Sequence, residues 1–395
     1  MNSGLPFRCF DETPGFPVAY VKRGVIMAST DVLRKLISAP VALAPNTYLH
    51  FYNGGKLRAE FLGEPDPKDD FRAEEWIFST NRAITPGREN PPDKGFSRVQ
   101  LPDGSIILLK EILEALPNET LGAKHYAKFG ASLGVLLKIF DVGDDAHIPV
   151  HWHPSPEFAQ KYLNSPNGKN EAWIVVGTRP GAKAWIGWKN DITKEQFREW
   201  MEAQDVETIR AHMHEIQPQK RDVIFLRDSF VHSIGSGVCI LEPQEPTDWN
   251  ILAEWKGYPY SREEASLGLD WDIALDAARF DAMPLDYLNN YVMRTPQIAR
   301  RENGSIEEHL VPPEARQYFW VTRLLVKDKI SMPGNQGFYC MVTTEGKGVL
   351  RGPFGEVPIA KGKSFFIPTS LPGFDVVNTG RETLEVVCCY PPVIE

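Results

Sequence analysis

Short apolar or alternating runs recur along the chain, separated by Gly, Pro, Asp and Asn. "SIILLKEIL" (105–113), "LGVLLKIFDVG" (133–143), "EAWIVVG" (171–177), "AKAWIGW" (182–188), "DVIFLRDSF" (222–230) and "GVCILEPQ" (237–244) each read as a strand bounded by turn residues. Their spacing suits a sandwich or barrel of antiparallel strands. Two stretches carry a helical period instead. "DITKEQFREWMEAQDVETIRAHM" (191–213) opens with Asp191 as the expected cap before Ile192, and a second helical block follows Ser261 (261–292). The β pattern resumes at "VPPEARQYFWVTRLLVKDKI" (311–330), and strands and glycine turns fill the rest. "GKSFFIPTSLPGFDVVN" (362–378) parallels "KRDVIFLRDSFVHSIGSG" (220–237), so two copies of one β-sandwich design with inserted helices are expected. The expected divisions are 1–255 with a helical insertion at about 191–213, a helical segment at 256–317, and a second β unit at 318–395.

A length of 395 residues agrees with two domains, or three. Hydrophobic residues at 42% and charged residues at 24% are globular values. The net charge of −9 argues against a nucleic-acid or anionic-membrane surface, so an anionic substrate would need a locally basic pocket. The five cysteines, Cys9, Cys239, Cys340, Cys388 and Cys389, are odd in number and form no C-x-x-C. Reduced thiols and a cytoplasmic location are therefore expected. The start, "MNSGLPFRCFDETPGFP", lacks the basic residues and apolar run of a signal peptide, and no stretch approaches the roughly 18 apolar residues of a membrane span.

Chemistry concentrates where histidines do. The chain has nine, and "HWH" places His151 and His153 on one face of a strand with Trp152 on the other. Two imidazoles side by side are a natural start to a metal site, and Zn²⁺ takes three or four N, O or S ligands. Glu171 can add a carboxylate from the next strand, and His232 a further imidazole from "DSFVHSIGSG". A second pair, His212 and His214 in "RAHMHEIQ", lies at a helix-to-strand junction without such support and reads as structural or exposed. The second β copy carries no histidine. Trp152, Trp173, Trp185 and Trp188 cluster around the ligand strands, where core filling is the commoner role of large aromatics and stacking on a sugar ring the alternative.

With these motifs in their order, the sequence resembles the type I phosphomannose isomerases of the cupin superfamily. "YNGGKL" (52–57) is similar to that family's Trp-Gly-Gly-x-x-Leu stretch, and "EEWIFST" (74–80) to its Glu-x-Trp-x-x-Ser. "LLKIFDVGDDAHIPVHWHP" (136–154) and "GKNEAWIVVGTRPGAKAWIGW" (168–188) follow the family's ligand-bearing strands. "RDVIFLRDSFVHSIGSGVCILEPQEPTD" (221–248) follows the strand with its last histidine and runs into Glu-x-Gln. The resemblance implies two cupin-type jelly-roll units and a Zn²⁺ held by His151, His153, Glu171 and His232. His151 stands where the family has glutamine, which keeps a donor and leaves Mn²⁺ or Fe²⁺ as alternatives. An arginine expected after Glu-x-Gln is absent: none occurs between Arg227 and Arg262, and Asn250, Ile251 or Leu252 occupies its place.

The implied activity is aldose–ketose isomerisation of a sugar or sugar phosphate through an enediol. It needs an electrophile on the oxygens and a base near C1 and C2. Lys169, Glu242, Gln244 and Asp248 are the candidates by proximity to the ligand strands; Lys169, Glu242 and Asp248 are expected to be catalytic. Each also has an ordinary role open to it: a turn lysine, a buried salt bridge and a turn cap for Lys169, Glu242 and Asp248. Lys138, a charge within an apolar strand, suits a pocket lining or an exposed edge equally. A metallo-cupin oxygenase or lyase and a non-catalytic sugar-binding or regulatory cupin are the competing functions.

Overall fold

The computed structural model describes residues 28–88 and 91–394. Cys9 and the N-terminal stretch considered above lie outside them.

Four antiparallel sheets stack in layers. A five-stranded sheet (Met213–Ile216, Ala184–Trp188, His232–Ile234, His151–Trp152, Ile251–Leu252, in spatial order) faces a seven-stranded one. The latter runs Met293–Arg294, Val223–Leu226, Glu171–Thr178, Val238–Gln244, Leu136–Asp141, Glu74–Phe78, Thr47–Tyr48. Behind it lies a nine-stranded sheet, and behind that a four-stranded one. The protein is thus mainly β and made of cupin-type sandwiches.

Alternation along each strand explains the layers. In Leu136–Asp141 every residue is buried. Leu137 and Ile139 enter the core shared with the nine-stranded sheet, while Phe140 enters the core shared with the five-stranded sheet. Glu171–Thr178 divides likewise: Ala172, Ile174 and Val176 point one way, Trp173 and Val175 the other. A strand covered on both faces needs such a near-continuous apolar run, and Lys138 and Glu171 are conspicuous exceptions to it.

The nine-stranded sheet differs from the expected division of the chain. Val41–Ala44, Arg98–Gln100 and Ile106–Leu108 extend it beyond Ser364–Ile367, with Val41 opposite Phe366. Residues from before position 110 therefore complete the C-terminal sheet. In "SIILLKEIL" only Ile106–Leu108 is strand; Leu109–Ala115 is helix, because Leu109, Ile112, Leu113 and Leu116 form a buried stripe at helical spacing.

The helical insertion consists of Lys194–Ala203 and Val206–Ala211. Its cap is Thr193, not Asp191: Thr193 and Gln196 form a reciprocal capping box, while Asp191 accepts from the Ala282 N–H. These helices and Trp271–Asp276 cover the outer face of the five-stranded sheet, burying Trp152, Trp188, Phe197 and Met201. The expected helical segment 256–317 turns into strand at Met293. Gln297–Glu302 and Ser305–His309 form a hairpin around Asn303-Gly304, both with positive φ (49° and 74°). That two-residue Asn-Gly loop is a hairpin signal stronger than the surrounding pattern.

The repeated phrase marks equivalent pieces. Val223–Leu226 and Ser364–Ile367 each lie in a large sheet, and each chain then crosses to a small sheet at His232–Ile234 or Phe374–Asn378. The interior reached differs, since the second unit fills it with Phe365, Met341, Phe374 and Val376.

Candidate metal centre and polar groove

His151 and His153 lie on the inner face at the end of a two-residue strand, and Trp152 points outward against Trp271 and Ala274, as alternation requires. His232 is the direct antiparallel partner of His151. The three imidazoles are buried, with one ligating nitrogen from each within 4.8 Å of the others. They are the group of three or more potential donors found so disposed among the described residues.

Each ring is fixed from behind. Nδ1 of His151, His153 and His232 donates to the carbonyls of Pro149 (2.7 Å), Trp249 (2.9 Å) and Phe230 (2.8 Å). That assignment leaves all three Nε2 lone pairs facing inward, the arrangement in which carbonyl partners orient metal-binding histidines. Glu171 adds its carboxylate 3.1 Å from His153 Nε2 and 3.4 Å from His232 Nε2. Trp173 Nε1 donates to Glu171 Oε1 at 2.9 Å, and Lys169 Nζ lies 3.1 Å from Oε2. His232 Nε2 and Glu171 Oε2 are buried without a hydrogen bond. Orphaned buried atoms of this kind, three imidazole nitrogens and a carboxylate fit a divalent cation, and the donor chemistry suits Zn²⁺.

The electrostatics keep the donors ready. Burial, then the neighbouring His232 and His153, hold His151 well below the usual histidine range. Burial and then Lys169 lower His153 to about 3. Burial alone would raise Glu171, but Lys169 and His153 outweigh it and keep the carboxyl ionised. Neutral imidazoles and a carboxylate are the forms that bind metal.

From Glu171 a row of polar side chains crosses the inner face of the seven-stranded sheet. Glu171 is opposite Gln244, Glu242 opposite Lys138, Lys138 opposite Trp76, and Glu74 opposite Tyr48. Lys138 Nζ lies 3.2 Å from Glu242 and 3.8 Å from Glu74. Glu74 also accepts from Tyr52 (2.8 Å) and Trp76 (3.0 Å). Burial and then Glu171 raise Glu242 to about 7 against the pull of Lys138. Lys138 is held above the usual lysine range, because Glu242 and Glu74 together outweigh its burial. Along this row, Tyr48 Oη, His50 Nδ1, Glu242 Oε1, Gln244 Oε1 and Trp249 Nε1 are also buried without hydrogen bonds. Counting those on His232 and Glu171, seven such buried atoms belong to this site and its neighbours, a chemistry that suits a ligand rich in hydroxyl groups.

The expected candidates fall into place unequally. Lys169 touches the donor set directly, 3.3 Å from His153 Nε2, and donates to Asn250 Oδ1 at 2.9 Å. Glu242 and Lys138 share the groove. Gln244 pins the following turn through Nε2 and carries no titratable group. Asp248 lies on that covering turn and accepts from Asn250 Nδ2 at 3.1 Å. Of the three residues at the missing arginine's place, Ile251 and Leu252 are buried in strand, and only Asn250 reaches the site. His212 stacks on Trp200 and bonds the Thr208 carbonyl, and His214 bonds the Met283 carbonyl, both structural roles. Trp152, Trp173 and Trp188 are fully buried core residues. Sequence reasoning missed Glu74, His50 and Tyr48. Glu74 had a signal, a carboxylate opening the apolar "EEWIF"; His50 and Tyr48, in the irregular "NTYLHFY", had none.

Two sandwich units, one enclosing a histidine triad, make up a cupin-type fold. In sequence and in fold the chain is similar to mannose-6-phosphate isomerases. Residues 310–386 match the mannose-6-phosphate isomerase cupin-domain family. Mannose-6-phosphate isomerase ManA of Bacillus subtilis (strain 168) is 24% identical over 280 residues, 69% of this chain and 82% of ManA. YvyI of the same strain, provisionally named for that activity, is 22% identical over 87% of this chain and 98% of its own. In fold, the crystal structure of a Bacillus subtilis mannose 6-phosphate isomerase aligns over 89% of this chain and 99% of its own, at 20% identity and a TM-score of 0.69. No helix among the described residues is long and apolar enough to cross a membrane.

Proposed function

We propose that the protein is a metal-dependent aldose–ketose isomerase of the mannose-6-phosphate isomerase type, acting on an open-chain sugar or sugar phosphate. The observation that carries this reading is the row of buried polar side chains running from the histidine triad along the sheet, several with atoms that make no hydrogen bond. An extended polyol matches it in chemistry, and the relatives named above bear that activity in their names.

His151, His153, Glu171 and His232 would hold the cation, Zn²⁺ or alternatively Mn²⁺ or Fe²⁺. When bound, it supplies positive charge against which the O1 and O2 oxygens become more acidic. Glu242 moves the carbon-bound proton: its carboxylate takes the proton from C2 of the aldose, exchanges part of it with solvent, and delivers a proton to C1, while the O2 hydroxyl proton passes to O1, giving the ketose. A carboxyl group raised to about 7 is tuned for both halves of that transfer near neutrality. Lys138 stays charged beside Glu242 and compensates the carboxylate before the transfer. Lys169, fixed by Glu171 and Asn250, directs an ammonium at the reacting oxygens. Asp248 and Asn250, on the covering turn, close the groove over the substrate and exclude water.

Incubation of Zn²⁺-loaded protein with a panel of aldoses and their phosphates in D₂O, followed by NMR, tests this. Deuterium at C2 of one member identifies the substrate; no exchange across the panel with metal bound sinks the reading. The three-imidazole, one-carboxylate donor set also supports an Fe²⁺ or Mn²⁺ oxygenase, which O₂ consumption during turnover would reveal.

A further inference from the structure

At the Glu74 end of this row, His50 is 7% exposed and its Nδ1 is buried without a hydrogen-bond partner. Its other nitrogen, Nε2, faces Glu74 Oε2 at 3.6 Å. Glu74 cannot turn away, because Tyr52 and Trp76 donate to its two oxygens and Lys138 lies beside it. We propose that His50 is a specificity-determining residue whose Nδ1 accepts a hydrogen bond from a sugar hydroxyl, so that this end of the groove reads an uncharged O–H and not a phosphoryl group.

The ring tautomer decides what Nδ1 can bind. A lone pair on Nε2 facing a carboxylate would be repelled, so the ring proton resides on Nε2 and the lone pair on Nδ1. Burial, the largest influence, lowers the ring to about 4 and keeps it neutral, so Nδ1 gains no second proton at neutral pH. Nδ1 is then an acceptor alone, and only a donor can satisfy it. A phosphate dianion has only acceptors to offer, whereas a hydroxyl donates. The charges nearby agree. Glu74 and Asp248 both act on His50, and the cations at this end are engaged, Lys138 by Glu242 and Glu74, Lys94 by Thr85 Oγ1 (2.8 Å) and the Arg88 carbonyl (3.1 Å), and Arg88 by the His50 carbonyl and the Phe71 ring. Tyr48, whose ring centroid is 6.4 Å from that of His50, presents a second unpaired buried oxygen here. This assignment rests on the groove binding a sugar, but not on turnover.

Calorimetric titration of the Zn²⁺-loaded full chain tests it without requiring catalysis. The probes are D-mannitol, D-glucitol, their singly deoxygenated derivatives and their 6-phosphates, with wild type, His50→Phe and His50→Asn. We expect one hexitol to bind, and removal of one particular hydroxyl to weaken wild-type binding about tenfold or more. His50→Phe should lose a similar factor on the parent hexitol and no longer distinguish it from that deoxy derivative. His50→Asn, whose amide oxygen accepts near the same place, should retain the distinction and shows that loss in His50→Phe is not misfolding. An unchanged preference in His50→Phe overturns the assignment, as does failure of every hexitol to bind. A 6-phosphate that binds more tightly than its hexitol and is weakened by His50→Phe overturns it as well. Deuterium exchange at C2 reports separately on the isomerase reading.

Discussion

His151 and His232 are direct cross-strand partners whose ring centroids lie 4.1 Å apart, and each donates Nδ1 to the carbonyl two residues before it, Pro149 or Phe230. The same local device thus aims both Nε2 atoms into one space from opposite strands, before any ligand is considered. A pair so constrained is costly to bury unless something uses its lone pairs.

Metal content gives the first prediction. His232→Ala should reduce bound metal from about one ion per chain to a small fraction, read by elemental analysis after dialysis. Chelation should lower the melting temperature of wild type and leave that of the variant unchanged, because only the first loses a ligand that binds the folded state. Equal chelator sensitivity would contradict the assigned donors.

Glu242→Gln should retain the metal yet slow deuterium exchange at C2 by about 10²–10⁴-fold, the usual contribution of a positioned general base. The amide preserves size and hydrogen bonding while removing the proton acceptor. Near-normal exchange would move the role to another residue.

The pH profile should follow the same group. Glu242, raised to about 7 chiefly by burial, is the active carboxylate only when deprotonated. kcat/KM should therefore rise about tenfold per unit below pH 7 and level off above it. His151 is held well below the usual histidine range and His153 at about 3, so ligand protonation should not produce that limb. Constant metal content from pH 5.5 to 8 would separate the two causes.

Asn250→Ala should free Lys169 from its 2.9 Å acceptor and leave Asp248 without the amide that braces it. An unmade buried bond costs about 1–3 kcal/mol, which corresponds to roughly a 5- to 150-fold loss in kcat/KM. Asn250→Asp, which restores the acceptor for Lys169 but not the donor for Asp248, should recover part of it.

Packing supplies the last test. A Cβ at Gly54 would lie 2.1 Å from the Asp141 carbonyl oxygen, a backbone atom that cannot swing aside. Gly54→Ala should destabilise by about 1–3 kcal/mol in urea denaturation, since the segment Gly54–Arg58 docks on Asp141 through the Leu57 and Arg58 N–H groups.

Much of this was legible from residues alone. Alternation placed His151 and His153 together and Trp152 apart, because a two-fold period survives even in a strand of two residues. Glu171 and His232 were reached through motif order, and their proximity needed the sheet register. The groove was less legible. Lys138 was visible as a lone charge in "LLKIFD", but its meaning depended on Glu242 lying opposite and Glu74 beyond it. His50 belongs to an irregular segment whose path no periodicity constrains. The helix after Leu108 and the Asn303-Gly304 hairpin were misjudged where a short local signal outweighed the pattern around it. The long-range pairing was not legible for another reason: strands pair by geometry, and Val41–Ala44 carries nothing to say that Phe366 is its neighbour.

That last pairing has a consequence for how the molecule comes into being. During synthesis, Val41–Ala44, Arg98–Gln100 and Ile106–Leu108 emerge early but cannot enter their sheet until Ser364–Ile367 has left the ribosome. Vectorial folding, unit after unit, is therefore closed to this chain, and closing so long a loop is slow. The early strands must wait as exposed apolar edges for almost the whole of translation. The same pairing then fastens Val41–Ala44 to Ser364–Ile367 in one sheet, so that neither sandwich can be excised without leaving a torn edge on the other.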